Sequence, residues 1–474
     1  MPDQRPNIIF INTDQQRGDC LSCAGHPVLL TPNMDGLAAA GVRFTHFYAE
    51  APSCIAVRRS MLSGQHAQTH GMVGYRGNAE WDAPPTLPGT LRDAGYQTRL
   101  IGRSMHQHPP RKRYGFDEME TECHTGAHDY AEWLAQVGPP DNGGWFGGGV
   151  MHNDYTAHPW PLDEHLHHTN WVMQRTLKFL ENRDPSCPYF LTVGFIAPHP
   201  PLQPPAQYFE RYLRTGVPEP SIGDWARPPA FGEGGEHVAP GRVNLTGEAL
   251  LSARAGYYGL INHVDDQLRR LLNPVIGVGR DLNRDTIVVF TSDHGEMLGD
   301  HYMWRKQRAY EGCARVPFIV RAPEYFGLQP TTTVDEPCTH ADIMPTLLEM
   351  ADVDVPDTCD GRSLLPLMRG ESTQWRDYLH IEHTPEHMGL TDGCEKFIWD
   401  PKDGSEQFFD LREDPNECRD LAHSPAHAER IELWRSRLID ELRDRPEGFV
   451  QDDTLVAGRP WSNVIPGRGN LVGG

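Results

Sequence analysis

Two short segments, RPNIIFINTD (5–14) and DTIVVFTSD (285–293), constrain the fold of this chain most strongly. Each is a nearly continuous apolar run of strand length that ends in an aspartate. Runs of this kind are typical of strands buried on both faces of a parallel sheet. PYFLTVGFIAP (188–198) and VPFIVRAP (316–323) have the same character. The four segments together predict a large, mostly parallel sheet.

Helical patterns lie between these strands, and this alternation indicates a doubly wound α/β domain. The helical patterns are MDGLAAAGV (34–42), LPGTLRDAGY (87–96), NWVMQRTLKFLENR (170–183) and ALLSARAGYYGLINHVDDQLRRLLN (249–273). In doubly wound sheets the active site lies beyond the carboxyl ends of the strands. Asp14, His199, Asp293 and His294 fall at such strand ends and are therefore candidate site residues.

The chain has 474 residues, too many for one compact core. We expect residues 1–373 to form the large α/β domain and residues 374–445 a smaller domain with an antiparallel sheet and one helix. The strand patterns of the second domain are YLHIEH, EKFIWD and EQFFDL, followed by a helix near 425–444.

Two irregular inserts, at about 107–165 and 214–245, interrupt the large domain. They either form walls of a substrate pocket or are surface padding. Residues 446–474 are rich in Gly and Pro and read as an extended tail. We expect the tail to lie on its own domain or on a partner subunit, and the second arrangement would suit a homo-oligomer.

The formal net charge of −22 disfavours a nucleic-acid partner, since phosphate binding needs clustered Lys and Arg. An acidic surface also disfavours anionic membranes. An anionic small-molecule substrate remains compatible, because a pocket can be locally positive on an acidic protein. We find no apolar run of membrane-spanning length and no leader pattern, and expect a cytoplasmic enzyme.

The ten cysteines show no disulfide spacing. CLSC (20–23) is the only CxxC, and without a second pair it supports a zinc site only weakly. Free thiols are the simpler interpretation.

Polar residues follow both aspartate-terminated strands, in TDQQ (13–16) and SDHGE (292–296). Asp14, Gln15, Asp293 and His294 can supply three oxygens and one imidazole nitrogen to a divalent cation. Oxygen ligands suit Ca²⁺, Mg²⁺ or Mn²⁺, and an imidazole favours Mn²⁺. Taken alone, each aspartate could equally be a helix N-cap. Two such pairs on predicted parallel strands favour the metal site.

The segment SCIAVRRSMLSG (53–64) places Cys54 at a predicted helix start. Unpaired N–H groups and the helix dipole at this position favour an anionic nucleophile and an anionic substrate. Arg58, one turn later, can point back toward Cys54. The alternative is that Cys54 is a buried structural thiol.

Several motifs, in order from about residue 6 to 422, carry a family resemblance. They are NIIFINTDQQRGD, TPNMDGLAAAGVRF, the Cys54–Arg58 stretch ending in LSG, LRDAGYQTRLIGR, PHPPLQPP, TSDHGEMLGDHYMWRK, RVPFIV, DGRSLLPLMRGE and EQFFDLREDPNE. Together they resemble the type I sulfatases of the alkaline phosphatase superfamily. The resemblance implies that the cysteine of the Cys-x-Pro-x-Arg motif is oxidised by a maturation enzyme to formylglycine. The hydrated aldehyde attacks the sulfur of a small anionic sulfate ester, and its second hydroxyl later expels sulfate.

The resemblance also implies a role for each matched residue. Asp14, Gln15, Asp293, His294 and the modified Cys54 would bind one divalent metal ion, and Arg58 would hold the nucleophile. Lys306, in MWRKQ, matches the lysine that contacts the sulfate group. His199, in APHPP, matches a histidine near the leaving-group oxygen and is a candidate general acid.

This chain departs from the family pattern at three places. Ala56 replaces the proline of the maturation motif. GRSMHQHPP (102–110) replaces Gly-Lys-x-His, so that Arg103 stands for the substrate-binding lysine. His106 takes the catalytic histidine position if one residue is inserted, and otherwise Met105 occupies it. Finally, Gln15 and His294 resemble the pair in choline sulfatases and phosphonate monoester hydrolases, which use manganese.

Three functions follow from these features. The favoured one is a sulfuric ester hydrolase, such as an arylsulfatase. The second is a phosphodiester or phosphonate monoester hydrolase on the same scaffold, which could act with an unmodified Cys54 thiolate. The third is a binding protein with a sulfatase-like but inactive site, suggested by the altered maturation motif.

Overall fold

The computed structural model describes residues 5–103, 108–122, 128–144, 147–229, 241–273, 285–384 and 387–468. Ten strands belong to its larger part. They are β1 (Asn7–Asp14), β2 (Val42–Phe44), β3 (Phe47–Tyr48), β4 (Gln97–Arg103), β5 (Glu118–Glu122), β6 (Tyr189–Pro198), β7 (Thr286–Ser292), β8 (Phe318–Arg321), β9 (Thr332–Val334) and β10 (Cys338–Thr339).

Eight of these strands form the main sheet, in the order β5-β4-β6-β1-β7-β8-β2-β9, and β3 pairs with β10 separately. The pairs on either side of β1 are parallel, which confirms the predicted mostly parallel sheet. Strand β8, predicted to resemble the parallel strands, instead runs antiparallel to β7 and to β2. An apolar run reports burial on both faces and carries no information about direction, so this error has a physical reason.

Helices cover both faces of the main sheet, as predicted for a doubly wound domain. The α-helices of the described residues are Pro32–Ala39, Cys54–Ser63, Ala67–His70, Leu87–Asp93, Asp129–Val137, His168–Asn182, Ala206–Thr215, Gly247–Leu272, Glu311–Ala314, Ile343–Met350, Leu365–Met368 and Ala428–Leu442. Side chains of β1 alternate between two cores: Ile9 and Ile11 face one, and Ile8 and Phe10 face the other. This alternation buries both faces of the central strand.

A second sheet lies in the C-terminal part of the chain. It is antiparallel and contains β11 (Leu379–His383), β12 (His387–Thr391), β13 (Glu395–Trp399) and β14 (Glu406–Asp410). The helix Ala428–Leu442 packs on it through Trp434 and Leu438, which share a core with Phe397 and Phe408. The predicted small sheet with one helix is therefore confirmed, and β12 is an additional strand.

The first insert, 107–165, is more regular than predicted. Its described residues contain β5, which pairs with β4 at the edge of the main sheet, and the helix Asp129–Val137. In the second insert, 214–245, the described residues contain only the end of the helix Ala206–Thr215 and an isolated bridge between Arg242 and Met303. No helix among the described residues is both long and apolar enough to cross a membrane.

The tail packs against its own chain. Val464 bridges Met72, and Ile465 donates its backbone N–H to the carbonyl of Gly71. Ile465 is fully buried with Ile55 and Ala56 of the helix Cys54–Ser63. The tail therefore covers the back of the helix that carries the candidate nucleophile.

Candidate active site

The ends of β1 and β7 bring the two candidate metal-binding segments together. The strands are parallel neighbours, with Thr13 opposite Ser292, so that Asp14 and Asp293 leave the sheet side by side. The backbone N–H of Gln15 donates to Asp293 Oδ1 at 3.0 Å. Residues far apart along the chain thus meet at the carboxyl edge of the sheet, as predicted.

Four side chains form a compact group of possible metal ligands. Asp14, Cys54, Asp293 and His294 each present a ligand atom within 4.8 Å of the others, and all four are buried. His294 Nδ1 lies 3.0 Å from the carbonyl oxygen of Gly295. Because a carbonyl only accepts, Nδ1 donates there, and Nε2 is left to face the group as a ligand. Two carboxylates and one imidazole suit a divalent cation.

Cys54 is the first residue of the helix Cys54–Ser63 and is one of the four members of this group. Its Sγ is 3.2 Å from His294 Nε2 and 3.2 Å from Lys306 Nζ. Burial and Asp14 raise the pKa of the Cys54 thiol, but Lys306 and His294 outweigh them and lower it to about 6. The position therefore favours an anionic nucleophile rather than an inert structural thiol.

Two arginines bind the carboxylates. Arg58 Nη2 donates to Asp14 Oδ2 at 3.2 Å and to Asp293 Oδ2 at 3.0 Å. Arg103 Nε donates to Asp14 Oδ2 at 2.8 Å. Although burial alone would raise it, Arg103 and Arg58 hold the pKa of Asp14 well below its usual range. Asp14 is consequently suited to bind a cation in its ionised form.

Lys306 connects the nucleophile to the segment after β1. Its Nζ donates to Gln15 Oε1 at 3.0 Å, in addition to its contact with Cys54. Burial alone would lower the pKa of Lys306, but Cys54 and the two aspartates raise it. A protonated ammonium group is thus held beside Cys54, where it adds positive charge to the site.

His199 follows β6 and borders the same site. Its backbone N–H donates to the carbonyl of Asp14, and its Nδ1 lies 2.7 Å from the carbonyl oxygen of Pro200. Because a carbonyl oxygen only accepts, Nδ1 is the nitrogen that donates there. Burial, followed by the positive charge of Lys306, holds the pKa of His199 well below its usual value. The ring of His152, from the first insert, stacks on His199 with centroids 4.4 Å apart.

Most of the residues singled out in the sequence meet at this site. They are Asp14, Gln15, Cys54, Arg58, Arg103, His199, Asp293, His294 and Lys306. His106 and Met105 lie outside the described residues. Cys20 and Cys23 belong to no group of three or more possible metal ligands in the described part of the chain.

Two residues of the site were missed by sequence reasoning. Glu296 is buried and accepts a hydrogen bond from Gln15 Nε2. His152 reaches His199 from an insert that has no regular pattern in the sequence. A signal for Glu296 was present, because it lies only two residues after His294, but its partner is distant in sequence.

Similarity to known proteins extends over nearly the whole chain. The family model "Sulfatase" matches residues 6–353, and the model "N-sulphoglucosamine sulphohydrolase, C-terminal" matches residues 299–444. An arylsulfatase of Clostridium perfringens is 38% identical, covering 97% of this chain and 99% of that protein. A choline-sulfatase of Rhizobium meliloti is 28% identical, covering 90% of this chain and 84% of that protein.

A solved structure is also similar over its full length. The phosphonate monoester hydrolase of Agrobacterium radiobacter superimposes with a TM-score of 0.79 at 25% identity, covering 96% of this chain and all of that chain. The same architecture therefore occurs in proteins named for sulfate esters and in one named for phosphonate esters.

Proposed function

Because the chain belongs to the sulfatase family, we propose that it hydrolyses a small sulfate ester with a nucleophile derived from Cys54. The position of Cys54 carries this proposal. It begins a helix, lies beside two carboxylates, and contacts both Lys306 and His294 at 3.2 Å. This arrangement combines a nucleophile, a cation-binding group and a charged donor for an anionic substrate.

One divalent metal ion fits the ligand set, with Mn²⁺ favoured over Ca²⁺ and Mg²⁺. Asp14, Asp293 and His294 would bind it together with Gln15 Oε1 and the group at position 54. When bound, the metal would lower the pKa of the nucleophile and offset negative charge on a sulfate oxygen. The buried pair of carboxylates, held by Arg58 and Arg103, supports this assignment.

Side chains of the protein position the carboxylates and bind the sulfate group. Arg58 holds both carboxylates in place, and Lys306 binds a sulfate oxygen while contacting the nucleophile. Helix N–H groups at residue 54 add positive potential at the same position. Arg103, predicted to contact substrate, donates to Asp14, and we assign it to holding that carboxylate.

His199 is the candidate group for the leaving-group oxygen. Its Nδ1 donates to the carbonyl oxygen of Pro200, which holds the ring, and we assign the proton transfer to Nε2. The depressed pKa of His199 means that the bound anionic substrate must raise it before Nε2 can donate a proton. The catalytic role of His106 stays a prediction.

Hydrolysis of a phosphodiester or phosphonate monoester is the second candidate. The similarity to the phosphonate monoester hydrolase of Agrobacterium radiobacter favours it. The two reactions differ in the charge on the equatorial oxygens of the transition state. Values of kcat/KM for p-nitrophenyl sulfate and a bis-aryl phosphate decide between them, and a strong phosphodiester preference would refute the sulfatase proposal.

The mass of the peptide that contains residue 54 tests the nucleophile. Formylglycine is about 18 Da lighter than cysteine, so protein from its native host should show this difference. An unmodified thiol together with phosphodiesterase activity would support the second candidate. Full metal occupancy without turnover of either ester would support the inactive binding protein.

Other predictions from the sequence keep that status. They are the maturation enzyme as a partner, a cytoplasmic location, a homo-oligomer, and the domain boundaries 1–373, 374–445 and 446–474. The contacts of Ile465 with the helix Cys54–Ser63 support a tail that packs on its own domain.

A further inference from the structure

We propose that Glu296 is a positioning residue that sets the orientation of the Gln15 side-chain amide and the placement of Lys306. This inference rests on the proposed function, in which Gln15 is a metal ligand and Lys306 binds substrate. It assigns to Glu296 no contact with either the metal or the substrate. Its effect passes through two residues that make those contacts.

The buried carboxylate of Glu296 connects three segments of the chain through hydrogen bonds. The residue is only 4% exposed. Its Oε2 accepts a hydrogen bond from Gln15 Nε2, while its Oε1 accepts from the backbone N–H of Leu298 at 3.0 Å and from that of Arg305. One side chain therefore joins the segment after β1, its own loop and the loop that carries Lys306.

The amide of Gln15 has two chemically different ends, and Glu296 distinguishes them. A carboxylate is acceptor-only, so it binds the NH₂ end and turns the carbonyl oxygen the opposite way. The carbonyl oxygen lies 3.0 Å from Lys306 Nζ, which in turn is 3.2 Å from Cys54 Sγ. The reverse orientation would point an NH₂ group at an ammonium group and at the candidate metal position.

The backbone of Gln15 is held in place, so the main property of this residue that can still vary is the orientation of its side-chain amide. Gln15 has φ of 75°, in the left-handed region, and its N–H is bound by Asp293 Oδ1. The carbon skeleton is thus directed into the site by strands β1 and β7. Only the choice between oxygen and nitrogen at the tip remains, and Glu296 makes that choice.

The other carboxylate oxygen of Glu296, Oε1, constrains the loop that carries Lys306. Arg305 and Gln307, on either side of the lysine, have φ of 69° and 79°. The loop therefore holds an uncommon conformation on both sides of its functional residue. The bond from the Arg305 N–H to Glu296 ties this loop to the same carboxylate that orients Gln15.

Replacement of Glu296 by glutamine tests the inference. In E296Q the carbonyl would serve the two backbone N–H groups, and the new NH₂ would pair only with Gln15 Oε1. Gln15 would then present nitrogen to the metal. We expect Mn²⁺ affinity, measured by titration calorimetry on the full chain, to fall about 10- to 100-fold.

Asp265→Asn is a matched control. Asp265 is also a buried carboxylate, and it accepts hydrogen bonds from the N–H groups of Asn33 and Met34 and from Asn33 Nδ2. D265N therefore removes the same type of charge and the same type of bonds elsewhere in the fold. It should leave Mn²⁺ affinity within about twofold, because these bonds orient a different segment and not Gln15.

A four-variant cycle separates orientation from loss of charge. E296Q removes one negative charge whether residue 15 is Gln or Glu. Only a glutamine at position 15 has an amide whose oxygen and nitrogen can exchange places. In the Q15E background, the amide introduced by E296Q can donate a hydrogen bond to the carboxylate at position 15. The hydrogen bond between the two side chains is then kept, with donor and acceptor exchanged. We expect the loss of Mn²⁺ affinity caused by E296Q to be at least about tenfold smaller in the Q15E background.

The outcomes distinguish the two proposals. Wild-type protein that binds neither Mn²⁺ nor Ca²⁺ would overturn the metal site and this inference together. Metal binding by wild type with equal affinity in E296Q, or equal losses in both backgrounds, would overturn the inference alone. If E296Q does not fold, the double variant Q15E/E296Q decides: it should fold and bind Mn²⁺, because the amide at position 296 can donate to the carboxylate at position 15. A double variant that does not fold or does not bind Mn²⁺ would refute the contact.

Discussion

Arg103 Nε lies 2.8 Å from Asp14 Oδ2, and both side chains are buried. Removing one partner of a buried ion pair leaves the other charge without part of its compensation. We predict that R103M lowers the free energy of unfolding of the metal-free protein by about 3 to 5 kcal/mol. Denaturant titration in the presence of a chelator measures this loss.

The surface pair of Arg111 and Asp129 provides the control for R103M. These side chains are 47% and 27% exposed, and R111M should change the free energy of unfolding by less than about 1 kcal/mol. Equal effects of R103M and R111M would show that the charge on Arg103 is not needed to hold Asp14.

His199 should matter more for poor leaving groups than for good ones. An alkyl alcohol must be protonated as it departs, whereas p-nitrophenolate leaves without a proton. We predict that H199A lowers kcat by about 10²- to 10³-fold for an alkyl sulfate and by much less for p-nitrophenyl sulfate. Similar losses with the two substrates would assign His199 to binding rather than to proton transfer.

The sequence was informative wherever burial alone determines structure. Strands β1, β6 and β7 are buried on both faces, so their apolar runs identify them directly. Strand β5 (EMETE) was missed because it lies at the sheet edge and has a glutamate at every second position, so it contains no apolar run. Strand β8 was found, but its direction depends on the connection to its neighbours and not on its composition.

The residues of the site also divide into those that the sequence predicts and those that it does not. Asp14 and Asp293 could be placed together because both end parallel strands, and parallel strands end at one edge. Glu296 and His152 could not, since their partners come from loops whose path is set by tertiary packing. A functional residue at a strand end is thus visible in the sequence, whereas one that acts across two loops is not.

The pair of His66 and Glu50 predicts a pH dependence of stability. His66 Nδ1 is 2.6 Å from Glu50 Oε1, and this carboxylate raises the pKa of His66 to about 9 although burial opposes the change. Because the folded pKa lies above the ordinary value of 6.5, the stabilisation is complete below pH 6.5 and disappears as the pH rises through 9. His66→Ala should therefore cost more stability at pH 6 than at pH 9.5.

Urea unfolding of wild type and H66A at the two pH values checks this sign. His423→Ala is the control, because His423 is exposed. A cost of H66A that stays constant, or grows, between pH 6 and pH 9.5 would contradict the assigned ion pair.

Ile465 tests whether the tail supports the helix that begins at Cys54. Its side chain is fully buried against Ile55 and Ala56 of that helix, so I465A would leave a cavity. We predict a loss of about 2 to 4 kcal/mol in the free energy of unfolding, whereas Trp461→Ala should cost less than about 0.5 kcal/mol. Trp461 lies in the same tail but is 50% exposed, which makes it the matched control. The decrease in the free energy of unfolding caused by I465A should not depend on protein concentration, because these contacts lie within one chain. A decrease that becomes smaller on dilution would instead place the tail on a partner subunit.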